Sequence, residues 1–476
     1  MEYPHTVNVL EQCQVSPPPG SVPQTSLPLT IFDLPLLGLI PPQKLFFYEL
    51  EVPKTHFMDS ILPNMKHSLS LTLQHFFPFV GNIVWSPQST KPEIIYVDGD
   101  SISFNVAESN FNFKHLCGNY PRDVNEFTPL VTPLLPLSTA PRPLLAFQVT
   151  LFPNSGISIG YSFCHVVADG MAGTHFMRAW SSVCSLLGGD PSLLSHPLPH
   201  LDRTTINDPY GIEASTLNEL KNINITQQSF SLPCTPTDPS NKVVATFIMD
   251  LPKVEKLKKW VLTQIIEKHK KEPSFYVTTL VVTCAYVWVC LVKALEGIHP
   301  LNNVREHFML PINARTRIDP ALPVTYFGNC LLFSFTSTQQ TDLLGEDGLV
   351  LAAEAIAKAN PRDVNEVLND VGNYIFNLSS AESERLLIIS GSPKLRSYDV
   401  NFGFGKPKKI EIISSTSAGF VTLMERGDSA EGGLEIGIAL GKLEMDAFAS
   451  LFEDTLKEEK YLARDGEPNI SSYVLP

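Results

Sequence analysis

A histidine and an aspartate stand four positions apart in the segment His165-Val-Val-Ala-Asp169-Gly170. The pKa of an unperturbed histidine is about 6.5, so its ring is largely uncharged at neutral pH and can accept a proton. Such an imidazole can act as general base when an alcohol attacks a carbonyl carbon. Asp169 precedes a glycine and is suited to fixing the turn or capping a helix. The hexapeptide alone fits a structural histidine paired with a carboxylate equally well.

Ser158 is a candidate nucleophile, because Gly156-Ile-Ser-Ile-Gly160 matches the G-x-S-x-G pattern of serine hydrolases. That pattern is functional when a strand, a sharp turn and a helix meet at the serine. The residues after Ser158 continue a β-type run, so we predict that this serine lies on one side of a strand. A serine hydrolase stays open as an alternative, and it predicts covalent labelling of Ser158 and activity in water without an alcohol.

Two further segments contain residues that could support a site. Arg315 and Arg317 precede Tyr326-Phe-Gly-Asn-Cys330, and this arginine pair could anchor a buried carboxylate, although solvated arginines are the commoner arrangement. Residues 397–407, SYDVNFGFGKP, interleave two glycines with two phenylalanines. A dinucleotide-binding loop would need a third glycine. This segment is therefore predicted to be a tight structural turn anchored by its aromatic residues.

Periodicity predicts the elements that hold the histidine. Residues 144–152 and 156–163 are β-type runs joined by a hairpin-like turn, and a helix over 174–187 follows the HVVADG segment. Before them, residues 6–15 are consistent with a strand. A helix is predicted over 59–77, with Asp59 or Ser60 as its N-cap and Pro78 as its end.

The second half of the chain follows a segment rich in Pro, Gly, Ser, Asn and Asp at about 188–239. Here we predict a basic helix at 253–271, an apolar helix at 277–294, a strand containing HFMLPIN, and strand-like runs near 410–414, 419–424 and 434–439. This mixture favours a mixed α/β fold over a doubly wound one. The predicted domains are 1–190 and 240–476, joined by a crossover at 191–239.

Composition narrows the possible partners. The chain has 476 residues and a net charge of −14, which disfavours nucleic acid and anionic membrane surfaces as partners. Its eight cysteines form no CxxC pair, so reduced thiols are expected rather than disulfides or a metal site. No signal peptide and no membrane span are expected.

Taken together, these motifs resemble the plant BAHD acyltransferase family. HVVADG corresponds to its HxxxDG motif, NFGFG to its DFGWG motif with two departures, and YFGNC to the signature of the clade acting on anthocyanins and other phenolic glycosides. LTIFDLP near residue 30, MKHSLSLTLQHFFPFVGNIVW, LDR at 201–203, EIGIAL and MDAFASLF also resemble that family. The likeness covers essentially the whole chain.

The resemblance implies a fold like that of chloramphenicol acetyltransferase, in which two similar-sized domains flank a channel. It also implies that His165 deprotonates an acceptor hydroxyl, which attacks an acyl-CoA thioester without an acyl-enzyme or a bound metal. Asp169 is expected to point away from the substrate and pair with Arg315. The DFGWG-like loop is expected to be structural, with Asn401 and Phe404 in place of the usual Asp and Trp lowering stability rather than catalysis.

Other site residues are candidates carried by the resemblance or by residue type. Ser392 is a candidate oxyanion donor, and Arg178 and Thr30 are candidates for the acyl pocket. Arg315, Asn401, Gly403 and Gly405 are expected to be structural partners of the site. Lysines of the basic helix are candidates for binding CoA phosphates, with a solvated helix face as the alternative: Lys253, Lys256, Lys258 and Lys259.

The resemblance implies malonyl-CoA or hydroxycinnamoyl-CoA as donor and a sugar hydroxyl of a flavonoid, anthocyanin or other phenolic glycoside as acceptor. A slight preference goes to malonyl transfer. Transfer to a non-sugar alcohol or an amine, and a catalytically inactive homologue that binds phenolics, stay open as alternatives. The enzyme is expected to be a cytoplasmic monomer.

Overall fold

The structure is a computed structural model. It describes residues 6–134, 144–186, 197–227, 241–301, 304–360, 384–413, 419–428 and 432–455, together with Leu368, Asn377 and Ala381. The chain forms two compact units, each made of three chain segments. The first comprises 1–240, 313–332 and 394–414, and the second comprises 241–312, 333–393 and 415–476.

This division differs from the predicted domains in the unit to which two later segments and the crossover belong. One boundary lies near residue 240, and the segments 313–332 and 394–414 pack with the first unit. They contain YFGNC and NFGFG, which the prediction placed in the C-terminal domain. The order of segments along the chain does not show which unit a segment packs with, because a chain can leave a unit and return to it. The predicted crossover at 191–239 belongs to the first unit and contains a helix, Ile212–Asn222.

The strands, in chain order, are β1 (Val7–Val15), β2 (Thr25–Pro28), β3 (Gln43–Glu49), β4 (Asn82–Val84), β5 (Glu93–Tyr96), β6 (Ile102–Ser109), β7 (Arg122–Asp123), β8 (Leu145–Phe152), β9 (Gly156–Phe163), β10 (Lys242–Met249), β11 (Arg305–Asn313), β12 (Leu331–Gln339), β13 (Arg385–Ser390), β14 (Lys409–Ile412), β15 (Phe420–Glu425) and β16 (Leu434–Gly441). The α-helices are α1 (Lys54–His56), α2 (Leu62–Leu73), α3 (Phe113–Leu116), α4 (Gly170–Ser185), α5 (Ile212–Asn222), α6 (Leu251–His269), α7 (Thr279–Ile298), α8 (Gln340–Leu344), α9 (Gly348–Lys358) and α10 (Lys442–Thr455).

The main sheet of the first unit has the strand order β1-β6-β8-β9-β3-β14. The β6–β8 pair is parallel and the other pairs are antiparallel. The predicted hairpin is present as β8 and β9, with Leu145 opposite Phe163 and a turn in which Asn154 has a φ of 58°. Every residue of both strands is buried, as expected of strands covered on both faces.

Ser158 lies inside β9 and is fully buried. The strand continues for five residues beyond it, so no nucleophile elbow forms, and the prediction of a strand residue is confirmed. The two glycines of the pattern are needed for packing instead. A Cβ at Gly156 would collide with the carbonyl of Tyr48, and one at Gly160 would collide with the carbonyl of Leu130.

The helix predicted over 59–77 begins and ends earlier. It starts at Lys54, passes through a π-helical turn at Phe57–Ile61 and ends at Leu73. Neither Asp59 nor Ser60 is its N-cap, so that prediction was wrong. Residues 54–56 are exposed and follow Pro53, so apolar periodicity could not reveal the first turn.

In the second unit, neighbouring strands follow the order β12-β11-β13-β15-β16-β10. The β11–β13 and β13–β15 pairs are parallel, while β15–β16 and β16–β10 are antiparallel. Helix α7 packs against α6, α9 and α10 and contributes much of the buried core. Sheets with both kinds of pairing, covered by helices, confirm the mixed α/β prediction.

Helix α7 is long and apolar enough, at 20 residues and a mean hydropathy of 1.7, to cross a membrane by length and composition. This differs from the expectation that no such stretch exists. Most of the helix is buried within the second unit, which is the position of a central core helix. Among the described residues no other helix meets that criterion.

Candidate active site

The HVVADG segment forms the loop between β9 and α4. The chain leaves β9 at Phe163 and enters α4 at Gly170. The Val167 N–H donates to the Cys164 carbonyl at 3.0 Å and the Ala168 N–H to the His165 carbonyl at 3.3 Å, which closes a tight turn. Cys164 and Val166 are buried, whereas His165 is half-buried. The turn therefore holds the imidazole at a partly accessible position.

The surroundings of His165 keep its ring neutral. Burial lowers the pKa of His165, and the nearby Asp169, Asn329 and Asp33 only partly oppose that effect. Desolvation has this sign because the charged imidazolium loses more hydration than the neutral ring. An uncharged imidazole with a lone pair available is what a general base requires.

Asp169 caps α4 and pairs with Arg315. Its Oδ1 accepts from the N–H groups of Met171 and Ala172 at 3.1 and 2.9 Å. The guanidinium of Arg315 donates to Oδ2 at 2.7 Å and to Oδ1 at 3.1 Å, and both side chains are fully buried. The predicted pair is therefore present as a bidentate ion pair, and the carboxylate is fully occupied away from the imidazole.

Arg315 also binds the backbone of the YFGNC segment. Its Nη2 donates to the carbonyls of Tyr326 and Gly328 at 3.0 and 3.2 Å. Burial lowers the pKa of Arg315, but the Asp169 carboxylate outweighs it and holds that pKa above its ordinary value. The Cys330 N–H adds a bond to Asp169 Oδ2 at 3.2 Å. One end of the histidine loop is thus fixed to residues 326–330.

A second buried Asp–Arg pair lies at the other end of the loop. Arg203 Nη1 donates to Asp33 Oδ2 at 2.8 Å, and the backbone and hydroxyl of Thr30 donate to the same oxygen, each at 2.8 Å. Asp33 Oδ1 accepts from the amide side chain of Asn329 at 2.9 Å, which also donates to the carbonyl of His165 at 2.9 Å. Asp33 and Arg203 lie in the LTIFDLP and LDR segments, which resemble the family, but no role was predicted for either residue.

Comparison with known proteins decides the family. Residues 6–455 match the sequence profile of the Transferase family. The chain is 36% identical over 465 residues to the malonyl-coenzyme A:anthocyanin 3-O-glucoside-6''-O-malonyltransferase of Dahlia pinnata, covering 95% of this chain and 98% of that protein. The chain is a BAHD acyltransferase.

Other similarities agree with this assignment. This BAHD acyltransferase is 37% identical over 470 residues to coumaroyl-CoA:anthocyanidin 3-O-glucoside-6''-O-coumaroyltransferase 1 of Arabidopsis thaliana, covering 94% of this chain and 97% of that protein. The crystal structure of vinorine synthase shares its fold with a TM-score of 0.68 at 18% identity, covering 94% and 98% of the two chains. The two-domain, chloramphenicol acetyltransferase-like fold is thereby confirmed. The protein is an acyl-CoA-dependent O-acyltransferase.

The NFGFG segment of this BAHD acyltransferase is a closed structural loop. The side-chain oxygen of Asn401 accepts from the N–H groups of Gly403 and Gly405 at 2.9 and 3.0 Å. These glycines have φ values of 96° and 91°, which an L side chain rarely adopts. Phe402 packs edge-on against Trp180 with 4.7 Å between ring centroids, and Phe404 packs against Tyr48 at 6.1 Å. The loop therefore anchors the first unit.

Two substitutions of Asn401 should change the free energy of unfolding in opposite directions. Asn401→Asp keeps both acceptor bonds and makes them charge-assisted, so we expect the free energy of unfolding to rise by up to about 1 kcal/mol. Asn401→Ala removes both bonds and should lower it by about 1 kcal/mol. Thermal unfolding of the three proteins measures the order. A lower melting temperature for Asn401→Asp than for wild type would contradict the role given to this oxygen.

The acyl-pocket candidates are held by protein groups. Arg178 on α4 donates from Nη2 to the carbonyls of Leu395 and Arg396 at 2.5 and 2.8 Å. The hydroxyl of Thr30 donates to Asp33. Both contacts join protein groups within the first unit. A role of either residue in the acyl pocket stays a prediction.

The remaining candidates lie in the second unit. Ser392 is half-buried just after β13, and its role as oxyanion donor stays a prediction. On α6, Lys258 is buried and paired with Glu255 at 3.0 Å, while Lys253 is exposed and pairs with Asp250 at 3.2 Å. The ammonium of Lys258 is therefore not at the surface. Lys256 is exposed and Lys259 half-buried, and CoA binding by any of these lysines stays a prediction.

Two other expectations concern cysteines and metals. Every cysteine that the structure describes is a free thiol, and Cys234 lies outside the described residues. Within the described part of the chain, no group of three or more His, Cys, Asp or Glu residues is placed to hold a metal ion.

Proposed function

We propose that this enzyme transfers a malonyl or hydroxycinnamoyl group from coenzyme A to a sugar hydroxyl of a flavonoid, an anthocyanin or another phenolic glycoside, with His165 as general base. The observation that carries this proposal is the half-buried His165 ring, kept neutral by burial, in a loop fixed by buried ion pairs. The Dahlia and Arabidopsis relatives, whose names specify anthocyanin and anthocyanidin glucosides, support this class of acceptor.

The proposed reaction uses the lone pair of one ring nitrogen. His165 accepts the hydroxyl proton as the sugar oxygen attacks the thioester carbon, and a tetrahedral oxyanion forms. The intermediate collapses with cleavage of the C–S bond, and the imidazolium returns its proton to the leaving thiolate. Asp169 takes no part in proton transfer, because both of its oxygens are occupied by Arg315 and by backbone N–H groups.

A panel of donors and acceptors tests the proposal. Purified enzyme is incubated with malonyl-CoA, coumaroyl-CoA and acetyl-CoA against flavonoid glucosides and their aglycones, and free thiol and product mass are measured. Malonyl-CoA is the first donor to test, since the Dahlia relative is a malonyltransferase. We expect CoA release that requires the glucoside and a product heavier by one acyl group. Equal CoA release with aglycones or with water alone would contradict a sugar hydroxyl as acceptor.

The pH dependence follows from the direction of the His165 shift. Burial lowers the pKa of His165 from 6.5, so the ring protonates only at a pH below that value. The rate kcat/KM should therefore be constant around pH 7 and fall only as the pH drops through the lowered pKa. This fall of kcat/KM at low pH is called the acid limb here. A pH series of kcat/KM with saturating glucoside measures it. An acid limb above pH 6.5 would contradict the assigned base.

We also propose that the enzyme acts as a cytoplasmic monomer on small-molecule substrates, without nucleic-acid or membrane partners. Its net charge of −14 supports the exclusion of polyanionic partners. Gel filtration of the purified protein tests the oligomeric state.

A further inference from the structure

The orientation of the Asn329 side chain is determined by three oxygen atoms. Its Nδ2 donates to Asp33 Oδ1 at 2.9 Å and to the backbone carbonyls of His165 and Val166 at 2.9 and 3.1 Å. A flipped amide would present an oxygen to three acceptors, which is repulsive. The amide oxygen, Oδ1, must therefore lie on the opposite side of the carboxamide.

Two buried polar atoms in this region have no hydrogen-bond partner within the described part of the chain: Asn329 Oδ1 and His165 Nδ1. Asn329 is fully buried, and its amide nitrogen already holds the carbonyl of His165. One atom is an obligate acceptor, and the other is a ring nitrogen that donates in one of its two tautomers. Each therefore supplies what the other lacks.

We propose that Asn329 is the positioning residue that sets the tautomer of His165. Its Oδ1 accepts a hydrogen bond from Nδ1–H, so that Nε2 carries the lone pair that receives the substrate proton. This inference rests on the proposed function, in which His165 is the base. Asn329 acts through His165 and contacts no reacting atom in this assignment.

The Asp33–Arg203 pair fixes the amide in this role. Asp33 Oδ1 accepts from both the backbone N–H and the side-chain Nδ2 of Asn329, at 3.2 and 2.9 Å. Its Oδ2 is held by Arg203 and Thr30, so the carboxylate cannot rotate without losing these bonds. A fixed carboxylate in turn fixes which side of Asn329 faces the ring.

The electrostatic effect of Asn329 and Asp33 on His165 agrees in direction with this role. The Asn329 side chain and the charge of Asp33 both raise the pKa of His165, against the larger lowering by burial. An acceptor beside Nδ1–H stabilises the imidazolium that forms when Nε2 takes up a proton. The amide thus favours the protonated intermediate without placing a second negative charge next to Asp33.

The test compares Asn329→Ala with wild type. We expect kcat to fall by about 10²-fold, within the range of general-base contributions, while KM for the acyl-CoA stays within about twofold. The acid limb of kcat/KM should move to lower pH, since a group that raises the pKa of His165 is removed. Asn64→Ala is the matched control. Asn64 Nδ2 donates to the Cys184 carbonyl at 2.8 Å in the same unit, so this control also loses a partly buried hydrogen bond of an amide side chain. It should keep the wild-type kcat and the wild-type acid limb of kcat/KM.

A second measurement does not depend on any variant at residue 329 folding. Nitrogen-15 spectra of histidine-labelled wild type, with the His165 signals assigned by their loss in His165→Ala, report which ring nitrogen is protonated. We expect the Nδ1–H tautomer at neutral pH. An Nε2–H tautomer would overturn the inference. So would an unmoved acid limb in a folded Asn329→Ala, even with a lowered rate, because a purely structural role would give that result.

Different results would contradict the proposed function and the positioning role of Asn329. If His165→Ala released CoA at the wild-type rate, the assignment of the base itself would be wrong. If His165→Ala were inactive while Asn329→Ala kept the wild-type rate and acid limb, only the positioning role of Asn329 would be lost.

Discussion

Replacing His165 with alanine is expected to lower CoA release by about 10³-fold, within the range of 10² to 10⁴ that general-base catalysis contributes. The imidazole is the group that accepts the sugar proton, and its half-buried position in the β9–α4 loop leaves it accessible to do so. Thiol release with a competent donor and acceptor pair measures the loss. The residual rate should show no acid limb from this group.

The fold should survive this substitution. The His165 side chain is half-buried, and apart from the proposed bond to Asn329 its ring nitrogen Nδ1 has no hydrogen-bond partner among the described residues, so truncating the side chain breaks few contacts. His67→Ala, an exposed histidine on α2 of the same unit, is the control and should keep full activity. Near-normal activity of folded His165→Ala would contradict the assignment, as would loss of activity that only accompanies loss of folded protein.

Asp169→Asn is expected to cost about 3–5 kcal/mol of unfolding free energy, because it leaves the Arg315 guanidinium buried without a counter-charge. Both side chains of the pair are fully buried, so solvent cannot compensate. The substitution also weakens the charge-assisted cap of α4, made by bonds from Met171 and Ala172. Chemical denaturation and the yield of folded protein measure the effect.

A double variant separates charge from packing. Asp169→Asn combined with Arg315→Met removes the uncompensated charge, so it should be less destabilised than Asp169→Asn alone. Asp123→Asn is a matched control, since Asp123 is exposed and accepts a single backbone bond from Asn125 at 2.9 Å. It should change stability by less than about 1 kcal/mol. A wild-type unfolding midpoint for Asp169→Asn would contradict the importance of the pair.

Local patterns predicted the elements around the site because the underlying interactions are local. Alternation and apolar runs identified β8 and β9 within a residue of their ends, and an aspartate before Gly170 indicated the cap of α4. The start of the 54–73 helical stretch escaped the same reasoning, since its first turn is exposed and has no side-chain cap.

The membership of each segment in its unit was not predictable from sequence order. Residues 313–332 and 394–414 lie far along the chain from the first 240 residues, yet pack with them. Nothing in hydrophobic periodicity encodes such a return, because periodicity shows which face is buried and not which element covers it.

The sequence by itself determined the chemistry that is possible: a histidine able to accept a proton, an aspartate able to cap a helix, and motifs that identify the family. Only the tertiary structure decided which distant groups support that histidine, as with Asp33 and Asn329, 296 residues apart. The physical reason is that residue type sets the chemistry of a side chain, whereas a buried carboxylate or amide is stable only where folding brings its partners within hydrogen-bond distance.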